Sequence, residues 1–376
     1  MSEDGLKDVV ACHSGICFID GEKGRLLYRG YDIRDLAKYS TFEETAYLLL
    51  YGKLPNRCEL GIFSRRVADE RHLEKPIENL IKEFADIAPA MTILRTAVSA
   101  SAMFDCNHDA DKICRLKSQA MRLIGQLPVI VAQFYNRKKG VEMIRPGPNV
   151  SHAEALFTML KGRKPSDYER KIFDECLILH AEHELNASTF AARVVTSTDA
   201  DMYAAMTAAI GALSGPRHGG ANEQVALMMQ AAEDETGIAQ IIVKILMQKK
   251  KIPGFGHRVY QRTTDPRALI LKDRARELAE KTGKMDFYKM FETAEEMVYE
   301  QKGLRPNVDF YSACVYRCLE IPTELFTPMF AISRAAGWSA HVLEQCRDDK
   351  NKIMRPRAEY VGEAEQPYAP LHFRKN

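Results

Sequence analysis

Thr198-Asp199-Ala200-Asp201-Met202-Tyr203-Ala204-Ala205-Met206-Thr207-Ala208-Ala209-Ile210-Gly211-Ala212-Leu213-Ser214-Gly215-Pro216-Arg217-His218-Gly219-Gly220-Ala221-Asn222 carries an apolar helix, its stop signal and a histidine on bare backbone. Met202, Ala205, Met206, Ala209, Ile210 and Leu213 recur at helical spacing, with Asp199 or Thr198 as candidate cap and Gly215-Pro216 as the stop. A new helix is expected over Glu223 to Ala232. The same signature extends in both directions. Ser40-Thr41-Phe42-Glu43 has capping-box spacing ahead of Ala46, Leu48, Leu49 and Leu50, and Gly52 and Pro55 end that segment. Ser166-Asp167-Tyr168-Glu169 repeats the device before Phe173, Leu177, Ile178 and Leu185. Strand signal is confined to Ile16–Ile19 and Leu26–Tyr28, a small hairpin around Asp20-Gly21-Glu22-Lys23-Gly24. Strand and helix do not alternate, so a doubly wound sheet is not expected. The predicted fold class is mainly α, and no Gly-, Ser- or Pro-rich linker marks a domain boundary.

With 376 residues the chain can bury a large core, and its formal net charge of +2 points to neither a nucleic-acid nor a membrane partner. Between Lys244 and Arg276, however, ten Lys/Arg face only Asp265 and Asp273, a local net of +8. An anionic ligand and a solvated helix face are both compatible with that run. The nine cysteines show no paired-ligand spacing; Cys314 and Cys318 sit on one apolar helical face, and Cys12 and Cys17 near a strand start. Reduced thiols and a cytoplasmic location are expected. No apolar run reaches membrane-spanning length, and Met1-Ser2-Glu3-Asp4 lacks a signal-peptide pattern.

Three segments carry candidate chemistry. His218 lies just before a helix start, where the macrodipole disfavours the imidazolium, and Gly219 and Gly220 open the backbone to close approach. A neutral imidazole there can donate to a carbonyl becoming an enolate; an ordinary loop histidine is the other reading. His257 ends Pro253-Gly254-Phe255-Gly256, and Arg258, Arg262 and Arg267 follow as candidate carboxylate or phosphate ligands. No strand–helix pair frames this Gly-x-Gly, so a dinucleotide fold is not indicated. Asp309, in Pro306-Asn307-Val308-Asp309-Phe310, reads both as a helix N-cap and as a base. His180 and His183 form H-x-x-H on one predicted helix face, without a second cluster to complete a metal site.

Taken together, in this order, these segments resemble the citrate synthase family. The resemblance also covers Leu27-Tyr28-Arg29-Gly30-Tyr31-Asp32-Ile33, Ala181-Glu182-His183-Glu184-Leu185-Asn186-Ala187-Ser188-Thr189-Phe190, Leu325-Phe326-Thr327-Pro328 through Arg334-Ala335-Ala336-Gly337-Trp338, and Arg355-Pro356-Arg357. It implies a large helical domain over residues 1–218 plus 322–376, and a smaller one over 219–321 that closes over the active site. It further implies condensation of acetyl-CoA with oxaloacetate, followed by thioester hydrolysis. Asp309 would then be the base, His218 the enol stabiliser and His257 the group polarising the ketone. His183, Arg267 and Arg334 would hold oxaloacetate, with Arg355 supplied by the second subunit of a homodimer. Gly254, Gly256, Arg258 and Arg262 would meet CoA, and neither cofactor nor metal is expected.

Arg217 departs from the family pattern, which more often has an uncharged residue before the first catalytic histidine. The length resembles the short dimeric type. Rival expectations are a 2-methylcitrate synthase using propionyl-CoA, a non-catalytic oligomeric homologue, and a metal-dependent hydrolase built on His180 and His183.

Overall fold

A computed structural model describes residues 9–106, 111–347 and 352–374; the Met1-Ser2-Glu3-Asp4 segment lies outside them. The chain opens with β1 (Cys17–Asp20), β2 (Arg25–Tyr28) and β3 (Tyr31–Asp32), an antiparallel meander in which Cys17 faces Tyr28 and Leu27 faces Asp32. The hairpin stands where the alternation placed it. Asp20 Oδ1 closes its turn by accepting the N–H groups of Glu22 and Lys23. The two-residue β3 is too short to leave a periodic signal and was not expected.

Among the described residues, the remaining regular structure is helical, as the sequence pattern required. The first half comprises α1 (Ile33–Tyr39), α2 (Phe42–Tyr51), α3 (Arg57–Asp69), α4 (Lys75–Phe84), α5 (Ala90–Ser101), α6 (Lys112–Lys139), α7 (His152–Lys161) and α8 (Asp167–His180). After it come α9 (Ala187–Thr196), α10 (Met202–Leu213), α11 (Ala221–Ala232), α12 (Glu235–Met247), α13 (Pro266–Thr282), α14 (Met285–Lys302), α15 (Val308–Cys318) and α16 (Phe326–Arg347). The Ser166/Glu169 capping box forms at the start of α8. Two other caps fall elsewhere. Thr41, not Ser40, caps α2 by accepting from Glu44 N–H, while Ser40 bonds the Glu44 side chain. Asp201 caps α10 in place of Asp199 or Thr198, because its oxygen meets the N–H of Ala204. Spacing alone leaves such a shift open, since Ser, Thr and Asp are equivalent acceptors.

α16 is the axis of the fold. Nineteen of its 22 residues are buried, and it packs on α2, α6, α8, α9 and α10. A helix covered on all sides has no amphipathic stripe to read, only length and apolar content. A second group, α11 to α15, packs on itself through α12 with α14, α13 with α15 and α11 with α15. Among the described residues, no helix is long and apolar enough to cross a membrane.

The basic run from Lys244 to Arg276 is partly neutralised by tertiary neighbours. Arg274 pairs with Glu175 and Glu277, Lys272 with Glu295 and Arg262 with Glu22. Apart from Glu277, one turn along α13 from Arg274, these partners lie far away in sequence. All nine cysteines are free thiols.

Candidate active site

The candidate site forms where α16, the turn after α8 and the starts of α9 and α15 meet the loop before α13. Its carboxylate comes from α15. Asn307 caps that helix, accepting from Asp309 N–H at 3.0 Å, so Asp309 sits inside the first turn with its side chain free. The reading of Asp309 as N-cap is thereby corrected: the residue two positions earlier already satisfies the free backbone donor. Asp309 Oδ1 is enclosed and has no hydrogen-bond partner. Burial lifts its carboxyl to about 7, against the opposing pull of Arg267 and Arg334.

Asn307 also binds the histidine loop. Its Nδ2 donates to Gly256 O at 3.0 Å and its backbone N–H to Gly254 O at 2.9 Å, while Gly256 N–H returns to Arg305 O at 2.9 Å. Gly254 adopts φ +79°, and a Cβ there would run into Phe310 and Val225, so only glycine fits this close approach. The loop is thus fastened to the first turn of α15, which brings His257 and Asp309 into one region. Asn307 was not singled out from sequence; an Asn two residues before an acidic helix start was the available signal.

His257 Nδ1 accepts from the N–H of Val259 at 3.0 Å and of Tyr260 at 3.4 Å, which places the ring proton on Nε2. Burial lowers its pKa to about 4, with Asp265 raising and Arg267 lowering it. His218 precedes α11, which starts at Ala221, two residues ahead of the expected Glu223. The Ser188 N–H donates to His218 Nε2 at 3.3 Å, which leaves the ring proton on Nδ1, and the Ser188 hydroxyl, which donates to Asn186 Oδ1, lies 2.8 Å from the same ring nitrogen. His218 is also lowered to about 4, by burial first and then by Arg334. The helix-end argument anticipated the direction, but desolvation is the main cause. Ser188 is a second residue that sequence reasoning missed. It is held by Trp338 Nε1–H at 3.2 Å, a contact across 150 positions that no local pattern encodes.

Of the three proposed dicarboxylate arginines, Arg267 and Arg334 are buried, and they differ. Arg267 forms a two-pronged ion pair with Asp265, at 3.0 and 2.7 Å. Arg334 donates its Nε–H to His180 O at 2.7 Å and stacks over Phe330, and no described carboxylate lies within ion-pair distance of it. A buried guanidinium with open donors is costly unless an anion completes it. His183 lies 5.1 Å from His257 between ring centroids, its Nε2 enclosed and unpartnered.

Several expected residues stand apart. Arg217, Arg258, Arg262 and Arg355 are exposed. Arg355 follows Met354, whose N–H donates to Ser197, on the C-terminal segment. The pairing of His180 with His183 on one helix face is corrected: α8 ends at His180. His180 turns into the core, its Nδ1 on Cys176 O and its ring against Tyr316 and Phe330. Among the described residues, His183 instead groups with His257 and Asp265, their donor atoms within 4.8 Å. Both Asp265 oxygens already serve Arg267, so that trio is poorly suited to hold a cation.

The Asp309 titration has a stability signature. Its folded pKa of about 7 lies above the ordinary 3.8, so the folded chain binds the extra proton between those values. That contribution to stability is complete below pH 3.8 and is lost as pH rises through 7. Asp309→Asn removes this limb. The melting temperature of the variant relative to wild type is therefore expected to climb between pH 3.8 and about 7 and to level off above that. A flat difference would show that Asp309 titrates normally.

An enclosed carboxylate near neutrality, two imidazoles neutral at that pH and a buried guanidinium with no described carboxylate in ion-pair reach make up a set of groups suited to acid–base chemistry beside a bound carboxylate. The citrate synthase C-terminal domain family model matches residues 5–357. Citrate synthase 2 of Bacillus subtilis is 43% identical, covering 98% of each chain. The citrate/2-methylcitrate synthase of the same organism is 38% identical over 95% of this chain and 96% of that one. In structure, the citrate synthase of the thermophilic archaeon Thermoplasma acidophilum, solved with carboxymethyl coenzyme A and oxaloacetate, superposes with a TM-score of 0.93 over 100% of both chains at 34% identity. The chain belongs to the citrate synthase family and, with it, to the acyltransferases.

Proposed function

We propose that the protein condenses acetyl-CoA with oxaloacetate through an enol intermediate and hydrolyses citryl-CoA to citrate and CoA. The observation that carries this reading is Asp309, an enclosed carboxylate without a partner and with a pKa near neutrality. The methyl group of a thioester is a weak carbon acid. Its proton can leave only if a placed base acts together with a donor on the carbonyl oxygen. Asp309 takes that proton, and His218 Nδ1–H holds the oxygen as charge develops. His257 Nε2–H polarises the ketone under attack by the methyl carbon. Because both rings stay neutral down to about pH 4, they act at neutral pH as fixed donors. Arg334, Arg267 and His183 hold oxaloacetate, and a second subunit of a homodimer adds Arg355. CoA lies along Gly254 and Gly256, with Arg258 and Arg262 on its phosphates. Residues 219–321 form the small domain, closing on a large one of residues 1–218 plus 322–376.

Release of CoA thiol, followed with oxaloacetate and each acyl-CoA, tests the reaction. Acetyl-CoA is expected to give the higher kcat/KM, rising with pH as Asp309 deprotonates near 7. Arg334→Ala is expected to raise the KM for oxaloacetate by roughly 10²-fold or more, since a charged hydrogen-bonding partner is lost. No thiol release from either acyl-CoA would remove the reading. A second reading, methylcitrate formation from propionyl-CoA, is favoured by the relative that carries both activities in its name. One methylene separates the substrates by only about 1–3 kcal/mol, so a higher kcat/KM with propionyl-CoA would select it.

A further inference from the structure

Arg334 has no ion pair, yet a carboxylate is fixed close behind it. One face of α16 presents Arg334, Gly337, Trp338 and His341 at i, i+3, i+4 and i+7, the spacing of a single helical stripe. Arg334 faces the site, and Trp338 holds Ser188 against His218. The other two positions receive Glu182, the neighbour of His183. A Cβ on Gly337 would overlap both Glu182 Oε2 and Ala181 O, so glycine lets the carboxylate lie directly on the helix. His341 then orients it. His341 Nδ1 accepts from Arg193 Nε–H at 2.8 Å, which leaves its proton on Nε2 to donate to Glu182 Oε1 at 3.2 Å. Arg193 is in turn paired with Glu344 and bonded to Gln345. The Glu182 backbone is pinned as well, its carbonyl accepting from Tyr28 Oη at 2.7 Å. Glu182 is fully buried, and its Oε2 has no hydrogen-bond partner.

This much fixation of one buried charge calls for a reason. Among the groups that act on Arg334, Glu182 is the foremost in favouring the charged guanidinium, opposing the cost of burial. We propose that Glu182 is a positioning residue, an off-contact counter-charge that offsets the cost of burying the Arg334 guanidinium while leaving its donors open to the substrate carboxylate. A direct ion pair would occupy those donors, as Asp265 does for Arg267. A counter-charge near the guanidinium stabilises the free protein, and the same negative charge weakens the hold on an arriving dianion. Glu182 therefore sets oxaloacetate affinity below its maximum, which favours product release. The inference rests on Arg334 binding oxaloacetate, as proposed above.

The sign of the effect separates this role from simple structural support. Oxaloacetate binding to the full chain is measured by calorimetry for wild type, Glu182→Gln and Glu182→Asp. The isosteric Glu182→Gln is expected to lower the melting temperature of the free protein and to bind oxaloacetate about three- to tenfold more tightly. Glu182→Asp, which keeps the charge, is expected to stay within about twofold of wild type. Unchanged or weaker binding by Glu182→Gln would overturn the role, as would equal tightening by Glu182→Asp. Should Glu182→Gln be recovered only unfolded, refolding on addition of excess oxaloacetate supports the counter-charge, and failure to refold overturns it. A wild-type protein that does not bind oxaloacetate would remove the underlying reading instead.

Discussion

Asp309→Asn is expected to lower kcat by roughly 10²- to 10⁴-fold, the range over which a placed general base acts. The amide fills the same space, so oxaloacetate binding is expected to persist. Neighbouring Phe310 and Tyr311 are fully buried and keep α15 in place. Proton exchange at the acetyl-CoA methyl, followed in deuterated water with a non-condensing dicarboxylate present, isolates the step. Wild type should exchange and the variant should not. Exchange at the wild-type rate would take Asp309 out of the mechanism. The prediction depends on a free carboxylate: had Asp309 capped α15, its pKa would be depressed and its basicity spent on the helix.

His218→Ala is expected to cost roughly 10²- to 10³-fold in kcat, as for loss of one directed donor to a developing oxyanion. Methyl exchange should fall with turnover if, as proposed, His218 acts before carbon–carbon bond formation. His257→Gln provides the contrast. It should suppress condensation while leaving exchange in place if, as proposed, the His257 Nε2–H addresses the ketone. Exchange at wild-type rate in His218→Ala would reassign the enol donor. A perturbed His218 ring in Ser188→Ala, seen by nitrogen NMR, would show that the serine maintains its tautomer.

The helical class, the hairpin and most element positions were legible because they rest on local rules. Periodic apolar residues between Met202 and Leu213 specify a helix wherever it is finally packed, and Ser166 with Glu169 closes a capping box within one turn. Caps drifted where adjacent residues shared the same chemistry, as at Ser40 and Thr41. His180 and His183 do not share one helix face: helical spacing says nothing of where a helix ends.

The sequence by itself determined which chemistry was available: two histidines and a carboxylate on approachable backbone, and arginines enough for a dianion. Its ordered motifs also determined the family. Only the tertiary structure decided the electrical state of those groups. Asp309 rises to about 7 and His218 and His257 fall to about 4 because folding strips water from them, and that loss depends on the whole packed surround. The directing partners are likewise distant in sequence. Trp338 reaches Ser188 across 150 positions, and His341 reaches Glu182 across 159. Hydrogen-bond direction and desolvation are set by what packs around a side chain, which no local spacing records.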